Sequence, residues 1–133
     1  MSKIKLGEAG GLTVEAVMHA RLTVLPATAT VADVRDYFAA SSHRRLAVLV
    51  NDDGVYAGAL TPAHVAGADP ARPAAEVADP GPTVSPGAPA ETGRDRALRT
   101  DSRRVPVVDD DGRLVGVLAV TADLQCFCGT TAA

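Results

Sequence analysis

The sequence predicts an α+β (α/β) fold made of two pseudo-symmetric β-α-β-β-α repeats. The first observation is a hairpin signal at 103–118, RRVPVVDDDGRLVGVL, in which an Asp-Gly turn separates two apolar runs. The second is a near copy at 44–60, RRLAVLVNDDGVYAGAL. The third is a helical stretch that precedes each hairpin. A repeat of this kind indicates one supersecondary unit present twice.

The two copies align at a nearly constant offset. Val24 and Val84 are 60 positions apart, and the turn glycines Gly54 and Gly112 are 58 apart. One Asp-Gly hairpin occurs easily by chance, whereas two in register with matching flanks do not. We therefore interpret the similarity as a true internal repeat.

We expect residues 1–133 to form a single module. Repeat 1 spans 12–69, the inter-repeat linker and lead-in spans 70–82, and repeat 2 spans 83–127. Units of this size bury too little surface to be stable alone, but a chain of 133 residues buries roughly 70% of its unfolded surface. The repeats are therefore expected to pack through their sheets and to share a core.

Capping residues and apolar spacing predict the elements of repeat 1. Thr30 and Asp33 form a capping box, and Val31, Val34 and Phe38 then lie on one helical face. The expected order is a lead-in strand or loose arm over 1–11, a short helix from Thr13 to Met18, a strand over 22–25, a helix from 30 to about 40, strands over 46–50 and 55–60, and a helix over 63–66.

Repeat 2 is expected to follow the same order, and its long helix is the weak point. In the linker before it, residues 76–78 predict a helical turn that matches 14–18. The long helix over 91–99 contains Gly93 and five charged residues, so we expect it to be short or partly exposed. After the strand over 114–119, Thr121 predicts a final helix, and the tail from Gly129 is expected to be frayed.

Composition narrows the possible partners. The net charge of −3 argues against non-specific nucleic-acid binding, which needs a cationic surface. No apolar run approaches the roughly 20 residues that span a bilayer, and the N-terminal residues lack the apolar core of a signal peptide. We therefore expect a cytoplasmic protein without nucleic-acid or membrane partners.

The two cysteines, Cys126 and Cys128, leave two interpretations open. They are half of a metal site or a redox pair, or they pack the tail against the core. A zinc site needs four ligands, and His19, His43 and His64 show no ligand spacing. The sequence therefore favours packing and predicts no metal site.

Taken together, these features resemble a CBS domain pair, also called a Bateman module. The resemblance rests on the Thr-Val pair that starts each unit, the strands RLAVLV and RVPVVD, the Asp-Gly turns, and Gly-x-Leu before a Thr-led helix. It covers about residues 12–127. It implies a pseudo-two-fold disk, often a homodimer, whose two clefts between repeats bind adenosine-containing ligands such as AMP, ADP, ATP or S-adenosylmethionine. It implies no required cofactor.

The resemblance also implies the residues of a first ligand site. In the family pattern an aspartate holds both ribose hydroxyls, strand backbone frames the base, and basic residues of the other repeat meet the phosphates. Asp123 takes the ribose position, although it lies two residues after Thr121 and Val120 occupies the expected Ser/Thr position. The implied residues are Thr83, Val84, Val105, Pro106, Thr121 and Asp123, with His43, Arg44 and Arg45 on the phosphate side.

A second site is expected to be weaker or vacant. His64 stands where the pattern has aspartate, and a neutral imidazole cannot accept two hydroxyl hydrogen bonds. The implied residues are Thr23, Val24, Leu46, Ala47, Thr61 and His64, with Arg103 and Arg104 opposite. For the four arginines a solvated charge is an equal alternative. For Asp123 the sequence favours a cap for its helix over a nucleotide contact, and for His64 it favours an exposed helix residue over a ligand.

Two functions follow from this interpretation. The first is a regulatory module that senses an adenosine-containing nucleotide. The alternative is a non-catalytic structural or protein-interaction module with vestigial clefts and a protein partner. An enzyme is disfavoured, because the sequence has no nucleophile elbow, P-loop or G-x-G-x-x-G motif, and we predict no catalytic residues.

Overall fold

The computed structural model describes residues 2–20 and 23–132, which form short helices and small sheets. One 3₁₀ turn covers Leu6–Glu8. The helices are α1 (Val14–Val17), α2 (Val31–Ala39), α3 (Pro62–Val65), α4 (Ala74–Val77) and α5 (Ala90–Leu98). The strands are β1 (Ser2–Lys5), β2 (Leu25–Pro26), β3 (Ala47–Val50), β4 (Tyr56–Leu60), β5 (Arg104–Val108), β6 (Leu114–Ala119) and β7 (Cys126–Ala132).

Contacts along the chain define two compact units. The middle unit is Thr23–Gly81, and the terminal unit combines Met1–Leu22 with Pro82–Ala133. The two units are defined by contacts in space, whereas the predicted repeats, 12–69 and 83–127, are defined by similarity within the sequence. The repeat bounds therefore stay a prediction.

The middle unit contains a three-stranded sheet in the order β2-β3-β4. Strand β2 runs parallel to β3, and β4 runs antiparallel to it, with Ala47 opposite Leu60. Val31 and Val34 of α2 and Leu49 of β3 are fully buried. The apolar face predicted for α2 therefore packs into the core that this sheet supports, and its capping box is present as predicted.

The terminal unit contains the second hairpin. Strands β5 and β6 pair antiparallel, with Arg104 opposite Ala119, and Val84 bridges Val107 in parallel. Val84 therefore stands beside β5 as β2 stands beside β3. The core of this unit includes Val105, Leu118 and Phe127.

Helices α1 in the terminal unit and α4 in the middle unit are each four residues long. In the terminal unit, Val14 N–H donates to Ala88 O at 2.9 Å, which docks α1 beside α5. In the middle unit, Ala74 N–H donates to Ala29 O at 2.8 Å, which joins the start of α4 to the residues that precede α2. The predicted match between residues 14–18 and 76–78 is thus confirmed, and the terminal unit combines segments from both ends of the sequence whereas the middle unit is one continuous segment.

Of the two alternatives predicted for the fifth helix, short or partly exposed, the structure shows the second. Helix α5 has nine residues, as does α2. Gly93 is on its buried face, where an added Cβ would lie 2.6 Å from Leu118 Cδ1 and 3.0 Å from Val14 Cγ2. The glycine thus permits close packing, which offsets its low helix propensity. The predicted partial exposure is correct, since Glu91 and Asp95 are exposed.

The predicted final helix and frayed tail are wrong. Residues 121–125 form a turn rather than a helix, and β7 then pairs antiparallel with β1. Phe127 is fully buried, so the tail is anchored by a large aromatic side chain as well as by the ladder. The lead-in strand predicted within 1–11 is confirmed as β1. Of the strand predicted over 22–25, Leu22 lies outside the described residues and Leu25 begins β2.

Candidate ligand-binding residues

Strand pairing places the start of repeat 2 beside β5. Val84 N–H donates to Pro106 O at 3.1 Å, and Val108 N–H donates to Val84 O at 2.9 Å. The Thr83 carbonyl accepts a 2.6 Å hydrogen bond from Arg96 Nη1. The exposed fraction is 2% for Val84 and 0% for Val105. Their side chains therefore belong to the core, and they can frame a ligand mainly through backbone.

The turn after β6 holds Asp123. Thr121 Oγ1 donates to Asp123 Oδ1 at 2.5 Å, and Gln125 N–H donates to the same oxygen at 3.1 Å. Asp123 is exposed. The alternative that it caps a helix is wrong, because residues 121–125 form no helix; the carboxylate instead closes the turn. Two donors on one oxygen fix the orientation of the Asp123 carboxylate.

The base of this turn is closed by Thr121 and Cys126. Thr121 N–H donates to Cys126 O at 2.9 Å, and Cys126 N–H donates to Thr121 Oγ1 at 3.2 Å. Leu124 at the tip has φ +61° and is 50% exposed. A leucine in the left-handed region is strained, and such strain is often found at functional turns.

The basic residues of the first predicted site differ in their surroundings. His43 and Arg45 are exposed. Arg44 is half-buried: its Nη1 donates to Tyr37 O at 2.8 Å, and its Cζ lies 4.3 Å from the Tyr37 ring centroid. This stacked cation is not a simple solvated charge. Tyr37 is not among the predicted residues, although its place in the helix that precedes Arg44 can be seen in the sequence.

The second predicted site contains a histidine in a capping role. Thr61 N–H donates to His64 Nδ1 at 2.9 Å, and Thr61 Oγ1 lies 3.0 Å from the same atom. Because a backbone N–H can only donate, Nδ1 accepts, and a neutral ring then carries its proton on Nε2. His64 is thus half-buried in the capping box of α3, and the interpretation as an exposed helix residue is wrong.

The remaining residues of this set in the middle unit lie around β2 and β3. Thr23 and Val24 are exposed just before β2, and Val24 retains 37% of its surface. Leu46 is half-buried, and Ala47 is fully buried at the start of β3. Thr23 and Val24 can therefore offer side chains to a ligand, whereas Ala47 can offer only backbone.

The arginine pair at the start of β5 belongs to the terminal unit. Arg103 has φ +55°, and its Nε is buried without a hydrogen-bond partner within the described part of the chain. Arg104 Nη1 donates to Ser102 O at 2.7 Å. Arg103 is thus partly buried, and Arg104 is hydrogen-bonded within the chain. The alternative that both are fully solvated charges is wrong.

A shallow groove lies elsewhere in the middle unit, between β2 and α2. It encloses about 460 Å³, and no residue of either predicted site lines it. The lining residues are Leu25, Pro26, Ala29, Asp33, Asp36 and Tyr37. The sequence alone does not show that these residues line one groove, because the groove forms only where the fold brings β2 beside α2.

Neither a metal cluster nor a membrane-spanning helix is present in the part of the chain that the structure describes. Residues 2–20 and 23–132 contain no group of three or more His, Cys, Asp or Glu side chains that could hold a metal ion. Within the same residues, no helix has the length and apolar character needed to cross a bilayer.

Burial, with a smaller effect of Asp79, raises the pKa of Tyr56 to about 12.

Comparison with known protein families gives a match over most of the chain. The model described as "CBS domain" matches twice, at residues 14–70 and 74–121. No curated protein matches the sequence. The two matches cover both halves of the predicted duplication.

Solved structures show the same fold. CBSX2 in complex with AMP has a TM-score of 0.72 at 24% identity, covering 82% of this chain and 90% of that one; a second structure gives its source as Arabidopsis thaliana. The CBS domains of a Streptococcus pneumoniae transcriptional regulator have a TM-score of 0.70 at 24% identity, covering 80% and 92%. These likenesses confirm the predicted fold class.

A third similar structure is, like that of CBSX2 with AMP, a complex with a nucleotide. The cytosolic domain of the Mg²⁺ channel MgtE in complex with ATP has a TM-score of 0.65 at 26% identity. The match covers 80% of this chain and 44% of that one. This chain therefore corresponds to less than half of that structure.

Proposed function

The chain belongs to the CBS domain family, and on that premise we propose that it is a cytoplasmic regulatory module that binds an adenosine-containing ligand. The candidate ligands are AMP, ADP, ATP and S-adenosylmethionine. CBS domain pairs are generally regulatory and non-catalytic. The two relatives solved with AMP and with ATP support a nucleotide over other small molecules.

The observation that carries the proposal is the fixed carboxylate of Asp123. Its Oδ1 is held by Thr121 and by the backbone of Gln125, and the side chain is exposed. A charged carboxylate accepts the two hydrogen bonds that a ribose diol donates. The Thr121 contact supports this role, because it restrains an aspartate whose spacing departs from the family pattern.

The phosphate side of the proposal depends on His43, Arg44 and Arg45. Guanidinium groups bind phosphate oxygens in bidentate fashion. Arg45 is exposed and suited to this contact. Arg44 has Nη1 committed to Tyr37 O, so we assign it a smaller part, as a positive charge held by stacking.

We propose that the set around His64 binds nucleotide more weakly. With Nδ1 accepting from Thr61, the neutral ring offers only the Nε2 proton, and a ribose hydroxyl needs an acceptor at that position. One ligand per chain, rather than two, is therefore the stoichiometry that we propose.

Calorimetry and thermal unfolding with the four candidate ligands test this function. At 100 times its dissociation constant, a ligand of the folded state adds about 2.7 kcal/mol to the unfolding free energy. We expect Asp123→Asn to abolish most of this gain. Asp110→Asn is the matched control, because Asp110 is an exposed turn carboxylate of the same unit outside the predicted set. No heat and no thermal shift at millimolar ligand would refute the proposal.

The second candidate is a homodimeric interaction module without a ligand. This candidate is favoured because several of the predicted site residues make contacts within the chain: Arg44 stacks on Tyr37, and His64 caps α3. It predicts a dimer in sedimentation experiments whose stability no nucleotide changes. Loss of nucleotide binding in Asp123→Asn would exclude it.

A further inference from the structure

Three successive hydrogen bonds join helix α5 to the Asp123 turn through the N-terminal segment, residues 2–8. Arg94 Nη1 donates to Leu6 O at 3.2 Å, and Leu6 N–H donates to Gln125 O at 2.9 Å. Gln125 N–H in turn donates to Asp123 Oδ1 at 3.1 Å. All four residues belong to the terminal unit. The orientation of the Asp123 carboxylate is thus linked to residues from the opposite end of the sequence.

The arginine that begins this series is itself held in place. Its Nε donates to Asp95 Oδ1 at 3.0 Å, and the Arg94 side chain retains 24% of its surface. Leu6 is half-buried and packs against the core cluster that contains Phe127. A hydrogen bond from a charged donor is stronger than one between neutral groups. Arg94 therefore restrains the 3₁₀ turn Leu6–Glu8 at its first residue.

The equivalent arginine of the middle unit supports an equivalent segment. Arg35 and Arg94 are 59 positions apart, and each is the fifth residue of a nine-residue helix. Arg35 Nη2 donates to Val65 O at 2.7 Å, at the end of α3, the helix that carries His64. In the terminal unit a turn takes the place of α3, and the N-terminal segment supplies the carbonyl. Both arginines thus support the segment whose side chain the family pattern assigns to the ribose.

We propose that Arg94 is a positioning residue for the ribose contact of Asp123, and that the N-terminal segment and the nucleotide bind the Asp123 turn cooperatively. This inference rests on the proposed function. Release of Leu6 from Arg94 loosens its hold on Gln125, whose N–H orients the carboxylate. Coupling between two sites is reciprocal, so a bound nucleotide in turn holds the N-terminal segment against the turn. The N-terminal segment therefore reports whether the nucleotide site is occupied.

Calorimetry with AMP and 2′-deoxy-AMP on the full chain tests the positioning role. We expect Arg94→Met to bind AMP at least about 5-fold more weakly than wild type, the lower end of usual couplings between sites. Its preference for AMP over the deoxy analogue should fall by the same factor. Arg99→Met is the matched control, because Arg99 is an exposed arginine at the end of the same helix. Weaker binding of AMP with an undiminished preference would overturn the proposal, because it would show a general structural effect.

Amide hydrogen exchange of the wild-type chain provides a readout that does not depend on a variant folding. Saturating AMP should slow exchange of the Leu6 amide by at least about 5-fold. The Gly54 amide, which donates to Asn51 O in a hairpin turn of the middle unit, should keep its rate. An unchanged Leu6 rate, or wild-type affinity in Arg94→Met, would overturn this inference and leave the proposed function standing. Failure of wild type to bind any of the four candidate ligands would refute both.

Discussion

The backbone N–H of Thr61 donates a hydrogen bond to His64 Nδ1 at 2.9 Å. The histidine thus fills the position of the acidic residue in a capping box, and it can do so only while Nδ1 is unprotonated. This hydrogen bond explains why α3 begins at Pro62. It also uses the acceptor nitrogen of the ring, so that a neutral His64 offers other groups only the Nε2–H donor.

Removing this cap should weaken the middle unit. We expect His64→Ala to lower the unfolding free energy by about 0.5–1.5 kcal/mol, the usual net contribution of one hydrogen bond. His64→Asp restores an acceptor at the same position and should retain stability. Urea denaturation of the three proteins measures the difference, and equal stability of His64→Ala and wild type would show that the cap contributes nothing.

Packing at Gly93 gives a second prediction. Alanine is the better helix former by about 1 kcal/mol, yet its Cβ would meet Leu118 Cδ1 at 2.6 Å. Overpacking costs typically about 1–3 kcal/mol, so Gly93→Ala should destabilise the protein. Thr92→Ala, one position away on the same helix, should change stability by less than about 0.5 kcal/mol.

A double-mutant cycle identifies the cause of that loss. Leu118→Ala removes the atom that the new Cβ would meet, so the double variant should be more stable than the sum of the single changes implies, with a coupling of about 0.5–3 kcal/mol. Additive effects in thermal unfolding would place the strain elsewhere.

Tyr56 predicts a loss of stability in alkali. Its O–H donates to Pro80 O at 2.7 Å, and burial with Asp79 raises its pKa from 10.0 to about 12. Because the folded-state pKa is the higher one, the stabilisation is complete below pH 10 and is lost as the pH rises from 10 toward 12. Tyr56→Phe should lack this part of the decline.

Ionisation of Tyr56 can be followed by tyrosinate absorbance during titration of the folded protein. Asp79→Asn removes the smaller cause and should lower the pKa of Tyr56 while leaving it above its usual value. The account of this residue fails if wild type and Tyr56→Phe lose stability in parallel across that range of pH.

The strained turn at Leu124 predicts an order of stabilities. A left-handed conformation costs an L-residue about 1–2 kcal/mol, and glycine avoids that cost at an entropic penalty of about 0.5–1 kcal/mol. With Leu124 half exposed, Leu124→Gly should match or exceed wild type, and Leu124→Val should be the least stable. Chemical denaturation ranks the three, and a valine variant more stable than the glycine variant would contradict the assignment.

Local sequence rules predicted the elements whose signals lie within a few residues. Thr30 with Asp33 marked the start of α2, and the Asp-Gly turns marked both hairpins. The same rules failed at Gly93 and after Thr121. At Gly93 the deciding contact is with Leu118, and after Thr121 it is the pairing of β7 with β1, both distant in sequence.

The surroundings of the candidate site residues were harder to predict. The replacement of aspartate by His64 was visible in the sequence, but its hydrogen bond to Thr61 depends on the ring orientation that the fold sets. Likewise the irregular spacing of Thr121 and Asp123 was visible, whereas the turn that joins the two side chains exists only because β7 follows it.

Discrimination between AMP and 2′-deoxy-AMP tests the role of Asp123 most directly. A hydrogen bond to a charged group contributes about 1.5–3 kcal/mol, so wild type should bind AMP roughly 10–100-fold more tightly than the deoxy analogue in calorimetry. Asp123→Asn should bind the two with nearly equal affinity. Equal affinities in wild type, or an undiminished preference in Asp123→Asn, would contradict the account.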